Sequence, residues 1–317
     1  QTGGQCRASN YVSLIKKALE EAGYPHTPVV SLTFGSSLEN KQPGLKVNWI
    51  KILPVALRAI LYSDCISKFY YAAAAREKEV GQAARLRDDF LQQAEGLIRD
   101  KRSKDLLDLL SVAAEQFNAI CRDMNCSKVG VVGEIFLKFN PFAQKNVIGW
   151  LTEKGIEVVP SVLTDFFMQN FVNRKVRVES CIQKSAMPDF VYKSAYKIIN
   201  KQIGKFNKAG MKFHYFIPFK DIFEEAADAR KVISLNAQFG EGWLLPAEIM
   251  SYARQGIFNV VSLQPFGCIA NHIVSKGVEK RIKYFFPEMN ILSLDFDSGV
   301  SDVNITNRLL LFVDHLK

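Results

Sequence analysis

Apolar positions recur at helical spacing near the start of the chain. Tyr11, Leu14, Ile15, Ala18 and Leu19 form one stripe, with Ser9 or Asn10 placed to cap it and Gly23 to stop it. That spacing predicts a helix over 9–22. The apolar run at 29–32 reads as a strand, and the polar, Gly- and Pro-bearing stretch at 36–44 as a loop. From 47 to 124 the pattern is helical throughout. A first segment opens at Asn48 and reaches Ala75 with Pro54 in its first two turns, and two amphipathic segments follow at 77–100 and 104–123.

The period then changes. Residues 129–133 are a short apolar run of the kind found in strands buried on both faces of a parallel sheet. Asn140 and Pro141 open a helix toward 154, Gly155 stops it, and 156–159 reads as the next strand. Residues 161–231 are mainly helical in pattern, broken at Pro188 and Pro218. Three more strands are expected at 232–235, 259–263 and 291–294, with helices at 245–254 and 271–284 and a final helix capped by Ser301. Strands alternating with helices predict an α/β fold with a mostly parallel sheet, a helical insert and right-handed crossovers. The expected division is 1–45 as the remainder of a first α/β domain, 46–127 as a helical subdomain and 128–317 as a second Rossmann-like domain. The opening Gln1-Thr2-Gly3-Gly4 reads as the middle of a strand–turn–helix unit, so the chain is expected to be one piece of a longer polypeptide.

Composition narrows the function classes. The chain has 317 residues, 48% hydrophobic and 23% charged, which excludes a disordered chain. No stretch approaches 18 uninterrupted apolar residues, so no membrane-spanning helix is expected. The net charge of +9 invites a nucleic-acid reading, but most of the basic residues are scattered singly. The densest group, Lys193, Lys197, Lys201, Lys205, Lys208 and Lys212, reads as a solvated helix face or, in the alternative, a surface for a partner or polyanion. Six cysteines in this length are too dilute for a disulfide scaffold. A reducing, cytoplasmic setting with thiols free or metal-bound is expected.

In open parallel sheets ligands bind beyond the carboxyl ends of the strands. The turn Gln264-Pro265-Phe266-Gly267-Cys268 leads from an expected strand straight into a helix, where exposed N–H groups favour a thiolate. Gly3-Gly4-Gln5-Cys6-Arg7 has the same character before the first helix. Cys6 and Cys268 are either two ligands of one group held between α/β halves or two unrelated thiols. Cys65 reads as core, and the absence of CxxC argues against a self-contained zinc or ferredoxin-type site. Glu134 and Glu241 sit in glycine-bearing turns after expected strands, placed to orient a ligand or to bind loop amides. His272 follows Cys268 by four residues as a ligand, an acid–base partner of the thiol or a structural group. Asp295, Asp297 and Gly299 resemble an Asx turn. No GxGxxG, Walker or GxSxG motif occurs.

Four segments in order carry a resemblance. They are Thr2-Gly3-Gly4-Gln5-Cys6-Arg7-Ala8-Ser9-Asn10-Tyr11; Gly133-Glu134-Ile135 with Asn140-Pro141-Phe142; Asn236-Ala237-Gln238-Phe239-Gly240-Glu241-Gly242-Trp243; and Gln264-Pro265-Phe266-Gly267-Cys268-Ile269-Ala270-Asn271-His272. Together they resemble the C-terminal part of the large 2-hydroxyacyl-CoA dehydratase activase-related proteins, which is similar to the subunits of 2-hydroxyglutaryl-CoA dehydratase (the D-component). The resemblance spans nearly the whole chain. It implies Rossmann-like domains holding an iron–sulfur cluster of the 4Fe-4S kind through cysteines from separate domains, here Cys6 and Cys268, with a further cysteine upstream. Glu134, Glu241 and His272 would then line the substrate edge or support the ligands. It also implies partners: an ATPase region of the same polypeptide, a dehydratase subunit and an acyl-CoA whose thioester carbonyl accepts an electron. The competing expectation is a docking module that keeps the fold without a cluster.

Overall fold

The computed structural model describes residues 10–29, 48–184, 188–297, 299 and 301–316. Cys6, Ser9 and nearly all of the expected strand at 29–32 and loop at 36–44 lie outside them. Helix α1 is Tyr11–Glu21, and α2 (Trp49–Ala74), α3 (Gln82–Arg99) and α4 (Leu106–Ile120) form an antiparallel helical layer. Asn48 caps α2, its side chain accepting from the Lys51 amide at 3.3 Å, and Pro54 lies inside the helix at its sixth residue, where it withholds one backbone donor.

The α/β part follows as β1 (Lys128–Gly133), α5 (Ile135–Lys138), α6 (Val147–Glu153), β2 (Glu157–Pro160), α7 (Leu163–Glu179), α8 (Asp189–Gly210), α9 (Ile222–Ala229) and α10 (Leu244–Arg254). It ends with β3 (Asn259–Pro265), a π-helix (Ala270–Ser275), α11 (Glu279–Phe285), β4 (Asn290–Phe296) and α12 (Asp302–Asp314). Among the described residues the sheet has four strands, all parallel, in the order β2-β1-β3-β4. The order places β1 and β3 at the centre, and chain direction reverses its progress across the sheet between them. This is the α/β class that the alternating pattern predicts.

Strand period divides the core. Val129 and Val131 of β1 join Leu151, Ile305 and Leu309 on one face. Val132 and Val260 join Leu245, Ile249 and Ile282 on the other. A third core, mainly helical, packs Leu61, Phe69, Leu110 and Phe117 against Val172, Phe206 and, from the turn after α8, Phe213. The helical layer is tied to the sheet edge by Arg76, whose guanidinium meets Glu157 at 2.6 Å with both side chains at 2% exposure or less. Arg76 also donates to the Ala72 and Met124 carbonyls.

Three expectations are corrected. Residues 232–235 do not form a strand: the Val232 and Ile233 amides turn back onto the Ala229 carbonyl at 2.9 Å, Val232 packs into the core on the second face of the sheet, and Leu235 packs into the third core. A four-residue apolar run is equally at home in a buried turn. The helix from Asn140 is regular only over Val147–Glu153, because Lys145 and Asn146 both take left-handed backbone, φ 52° and 55°. The expected helix over 271–284 is split into a π-helical turn and α11. The lysines of the densest basic stretch are all exposed on or just after α8, as both readings of that stretch require.

Candidate functional site

The central strands β1 and β3 end side by side, Gly133 in register with Leu263. Gly133 has φ 136°, and a Cβ there would lie 2.0 Å from the Leu263 carbonyl oxygen, so only glycine lets the chain turn off the sheet this tightly. Glu134 follows. Its amide donates to Leu263 O at 3.0 Å, and its carboxylate accepts from the Leu137 amide at 3.1 Å, capping α5.

Glu241 arrives at the same turn from the loop before α10 and accepts from the Ile135 amide at 2.8 Å. That loop is shaped by Gly240 and Gly242, both left-handed. A Cβ on Gly242 would meet the Ala237 carbonyl at 2.1 Å. Both carboxylates are buried, at 3% and 2% exposure. Burial first, and the nearby Glu241 charge second, push Glu134 up to about 7, against the lowering effect of its amide bonds and Lys138. Lys138, at the far end of α5, pairs with buried Glu248 at 3.3 Å. The sequence pattern identified these two glutamates as turn carboxylates; what it did not show is that both grip one short helix.

The turn after β3 carries Cys268. Phe266 donates its amide to Phe296 O at the end of β4, Gly267 takes φ 72°, and the Cys268 amide returns to Pro265 O at 3.1 Å. The Cys268 side chain is directed inward, and its sulphur accepts from Asn271 Nδ2 at 3.2 Å. A Cβ on Gly240 would lie 3.8 Å from Ala270 Cβ, so the Glu241 loop runs beside the helix that Cys268 opens. That helix is wound as a π-helix, a form that recurs at functional sites.

His272 does not reach the thiol. Its Nδ1 lies 3.2 Å from the Cys268 carbonyl oxygen and its Nε2 lies 2.7 Å from Asp295 Oδ1. A Cys268–His272 nucleophile pair is therefore not formed, and Asp295, read from sequence as part of a turn, instead orients the imidazole. Asp297 alone makes the Asx turn, accepting from the Gly299 amide at 2.7 Å. Two side chains were given no role by the sequence. Gln264 is 1% exposed with neither amide atom partnered among the described residues, and Asn271, fully buried, leaves its Oδ1 in the same condition. Both lie in the segment from Gln264 to His272 that the sequence singled out, but neither is a titratable or metal-ligating type, so no role was assigned to them. Helix α1 reaches this edge as well: the Tyr11 ring packs on Phe136 at 5.8 Å between centroids.

Among the described residues no group of three or more His, Cys, Asp or Glu side chains could hold a metal ion. None of their helices is long and apolar enough to cross a membrane. The fold and this edge define an α/β protein with a parallel sheet and a polar, cysteine-bearing carboxyl edge. No protein-family model, curated protein or solved structure matches the chain.

Proposed function

We propose that the chain is the dehydratase-like part of an acyl-CoA dehydratase activase-related protein and that it binds an iron–sulfur cluster at the carboxyl edge of its sheet. The observation that carries this reading is the setting of Cys268: a thiol at the end of a central parallel strand, its sulphur accepting an amide N–H, beside buried polar side chains with unmet hydrogen-bonding capacity. Hydrogen bonds to sulphur of this kind tune the potential of a thiolate-ligated cluster.

The described residues supply one suitable thiolate, so the cluster needs at least one cysteine from another segment. Cys6 is the candidate, and the packing of Tyr11 on Phe136 supports it, because α1 starts five residues after Cys6. The group would supply low-potential, one-electron chemistry toward an acyl-CoA thioester. Cys268 would hold it, Asn271 would set the sulphur's orientation, and Glu134 and Glu241 would keep the neighbouring turn closed. His272, engaged by Asp295, is left to orient the turn and not to ligate.

Iron and acid-labile sulfide are measured on anaerobically prepared protein with its visible spectrum. Stoichiometric iron that falls away in Cys268→Ser and in Cys6→Ser is the expected result; colourless, iron-free protein that includes the upstream cysteine refutes the assignment. A second reading, a docking module without a cluster, is favoured by Phe142, Phe266, Ile269 and Ile273, large apolar side chains exposed at 93%, 69%, 53% and 67%. Partner binding unchanged by Cys268→Ser in iron-free protein would support it.

A further inference from the structure

Between Asp189 and Asp221 the chain carries seven lysines, no arginine and no acidic residue, in a sequence whose net charge is +9. Helix α8 occupies most of this segment and gathers the charge onto one surface. Lys193, Lys197, Lys201 and Lys205 follow one another at four-residue steps, and Lys208 continues the row. At about 100° per residue these five fall within an arc of roughly 120°, and the row runs about 22 Å along the helix. Lys212, just past the helix end, extends it, and all six are exposed.

The opposite side of the helix is fixed. Ile203 and Phe206 are buried in the third core. Asn207 exchanges hydrogen bonds of 2.8 and 3.0 Å with the Phe219 backbone, and Tyr196 and Asn200 donate to Asp221 at 2.6 and 3.0 Å. The lysine ridge is therefore held from behind and presented outward.

No acid neutralises the ridge. Among the described residues none of its six ammonium groups is in an ion pair or donates a hydrogen bond. The acids around it are engaged elsewhere or stand apart. Asp189 pairs with Arg174 at 3.1 Å, Glu179 of α7 with Lys175 at 3.8 Å, and Asp221 accepts from Tyr196, Asn200 and the Phe223 amide. Asp108 and Glu115 are exposed on α4, which packs beside α8, and pair with none of the lysines. Like charges at steps of about 6 Å repel one another, and an anionic surface laid against them relieves that repulsion.

Two features choose among polyanions. Phe190, Ile198 and Met211 are 71%, 63% and 59% exposed, and helical spacing puts Phe190 inside the lysine arc and Ile198 at its border. Apolar side chains among lysines gain little against a phosphodiester backbone, but they gain burial at the boundary between lipid head groups and acyl chains. The ridge also lacks arginine for forked contacts to phosphate. The tyrosines beside it are occupied: Tyr192 covers the Arg174 guanidinium at 4.0 Å, and Tyr196 packs on Phe171 and Phe223. Surfaces for nucleic acid draw on both arginine and free aromatic rings.

We propose that this face of α8 docks the protein on an anionic lipid surface, with the lysines at the level of the head groups and Phe190, Ile198 and Met211 reaching just below them. The helix stays part of the fold and lies in the plane of the interface, so docking needs no spanning helix. Near such a surface each lysine raises the affinity about fivefold.

The test is flotation of the chain with vesicles of phosphatidylcholine containing about 30% phosphatidylserine and with vesicles of phosphatidylcholine alone, beside titration of a duplex DNA. The expected result is saturable binding to the anionic vesicles only, lost as salt rises from about 0.1 M to about 1 M. Lys197→Gln with Lys205→Gln should weaken it about 25-fold, and Phe190→Ser with Ile198→Ser at least about tenfold. An unchanged far-UV spectrum shows that these exposed substitutions leave the fold intact. No binding to anionic vesicles, equal binding to neutral ones, or full binding by either double variant would overturn the proposal. DNA bound more tightly than the anionic vesicles would overturn it in favour of a nucleic-acid surface. If a variant does not fold, the charge selectivity and salt dependence of the unaltered chain decide the matter. Neither iron nor Cys268 enters this assay, so its result and that of the iron measurement stand apart.

Discussion

Replacing Glu134 with Gln tests whether the turn at the end of β1 stores an electrostatic cost. The carboxyl is almost wholly buried, beside a second carboxylate, and its pKa is raised from 4.5 to about 7. A carboxyl raised on folding binds more protons in the native state than in the unfolded chain. The sign follows: stability falls as pH rises through the window from 4.5 to 7, and the penalty is complete above the native pKa. At 1.36 kcal/mol per unit, the full penalty is about 3 kcal/mol, of which about 2.5 develops between pH 5 and pH 8. Glutamine keeps an oxygen for the Leu137 amide and carries no charge. Glu134→Gln should therefore gain stability relative to the native chain progressively, by about 2.5 kcal/mol more at pH 8 than at pH 5. Urea unfolding of both proteins at several pH values in this range, with the difference taken at each pH, cancels the contribution of other groups. Glu241→Gln should flatten part of the same profile by removing the neighbouring charge. A stability difference constant to within about 0.5 kcal/mol across the range would refute the reasoning.

Arg76→Ala leaves the buried Glu157 carboxylate with only the partly exposed Lys128 at 3.3 Å and should cost about 3 kcal/mol by chemical denaturation, whereas replacing both Arg76 and Glu157 with Met should recover much of it. Gly133→Ala forces a Cβ onto the Leu263 carbonyl at positive φ, so a loss of at least about 2 kcal/mol is expected by urea unfolding; a neutral substitution would refute so close an approach of β1 to Leu263. Trp243→Phe removes the 2.7 Å bond from the indole to Asn173 Oδ1 inside the helical core and should lower stability by about 1–3 kcal/mol, without changing the far-UV spectrum. In native protein Cys181, which is exposed, should be alkylated well before Cys65, whose thiol is wholly buried and pushed far up by burial; mass mapping after brief iodoacetamide treatment checks the order.

Much of the fold was legible because its signals are local. The apolar runs at 129–133, 259–263 and 291–294 are too short for helices and too continuous for surface strands, and they form β1, β3 and β4. The run at 232–235 carries the same local signal and failed as a strand. Nothing in four residues shows whether a sheet edge or a helix core will be next to them. The break at Lys145 and Asn146 was equally hidden, since neither residue type demands left-handed backbone.

The candidate site divides in the same way. Turn glycines and the residues they display are local features, so Glu134, Glu241 and Cys268 could be singled out from the chain alone. Their relations could not: the Ile135 amide meets Glu241 across 106 positions, and His272 turns from Cys268 to Asp295. The sequence by itself determined the α/β class, the exposed lysine face and the turns where chemistry could stand. These follow from periodicity, charge spacing and glycine geometry over a few residues. Only the tertiary structure decided which carboxylates share a turn, which imidazole nitrogen faces an acid and which apolar side chains stand exposed among the lysines of α8. Burial and electrostatic coupling act through distance in space, and chain separation carries no record of that distance.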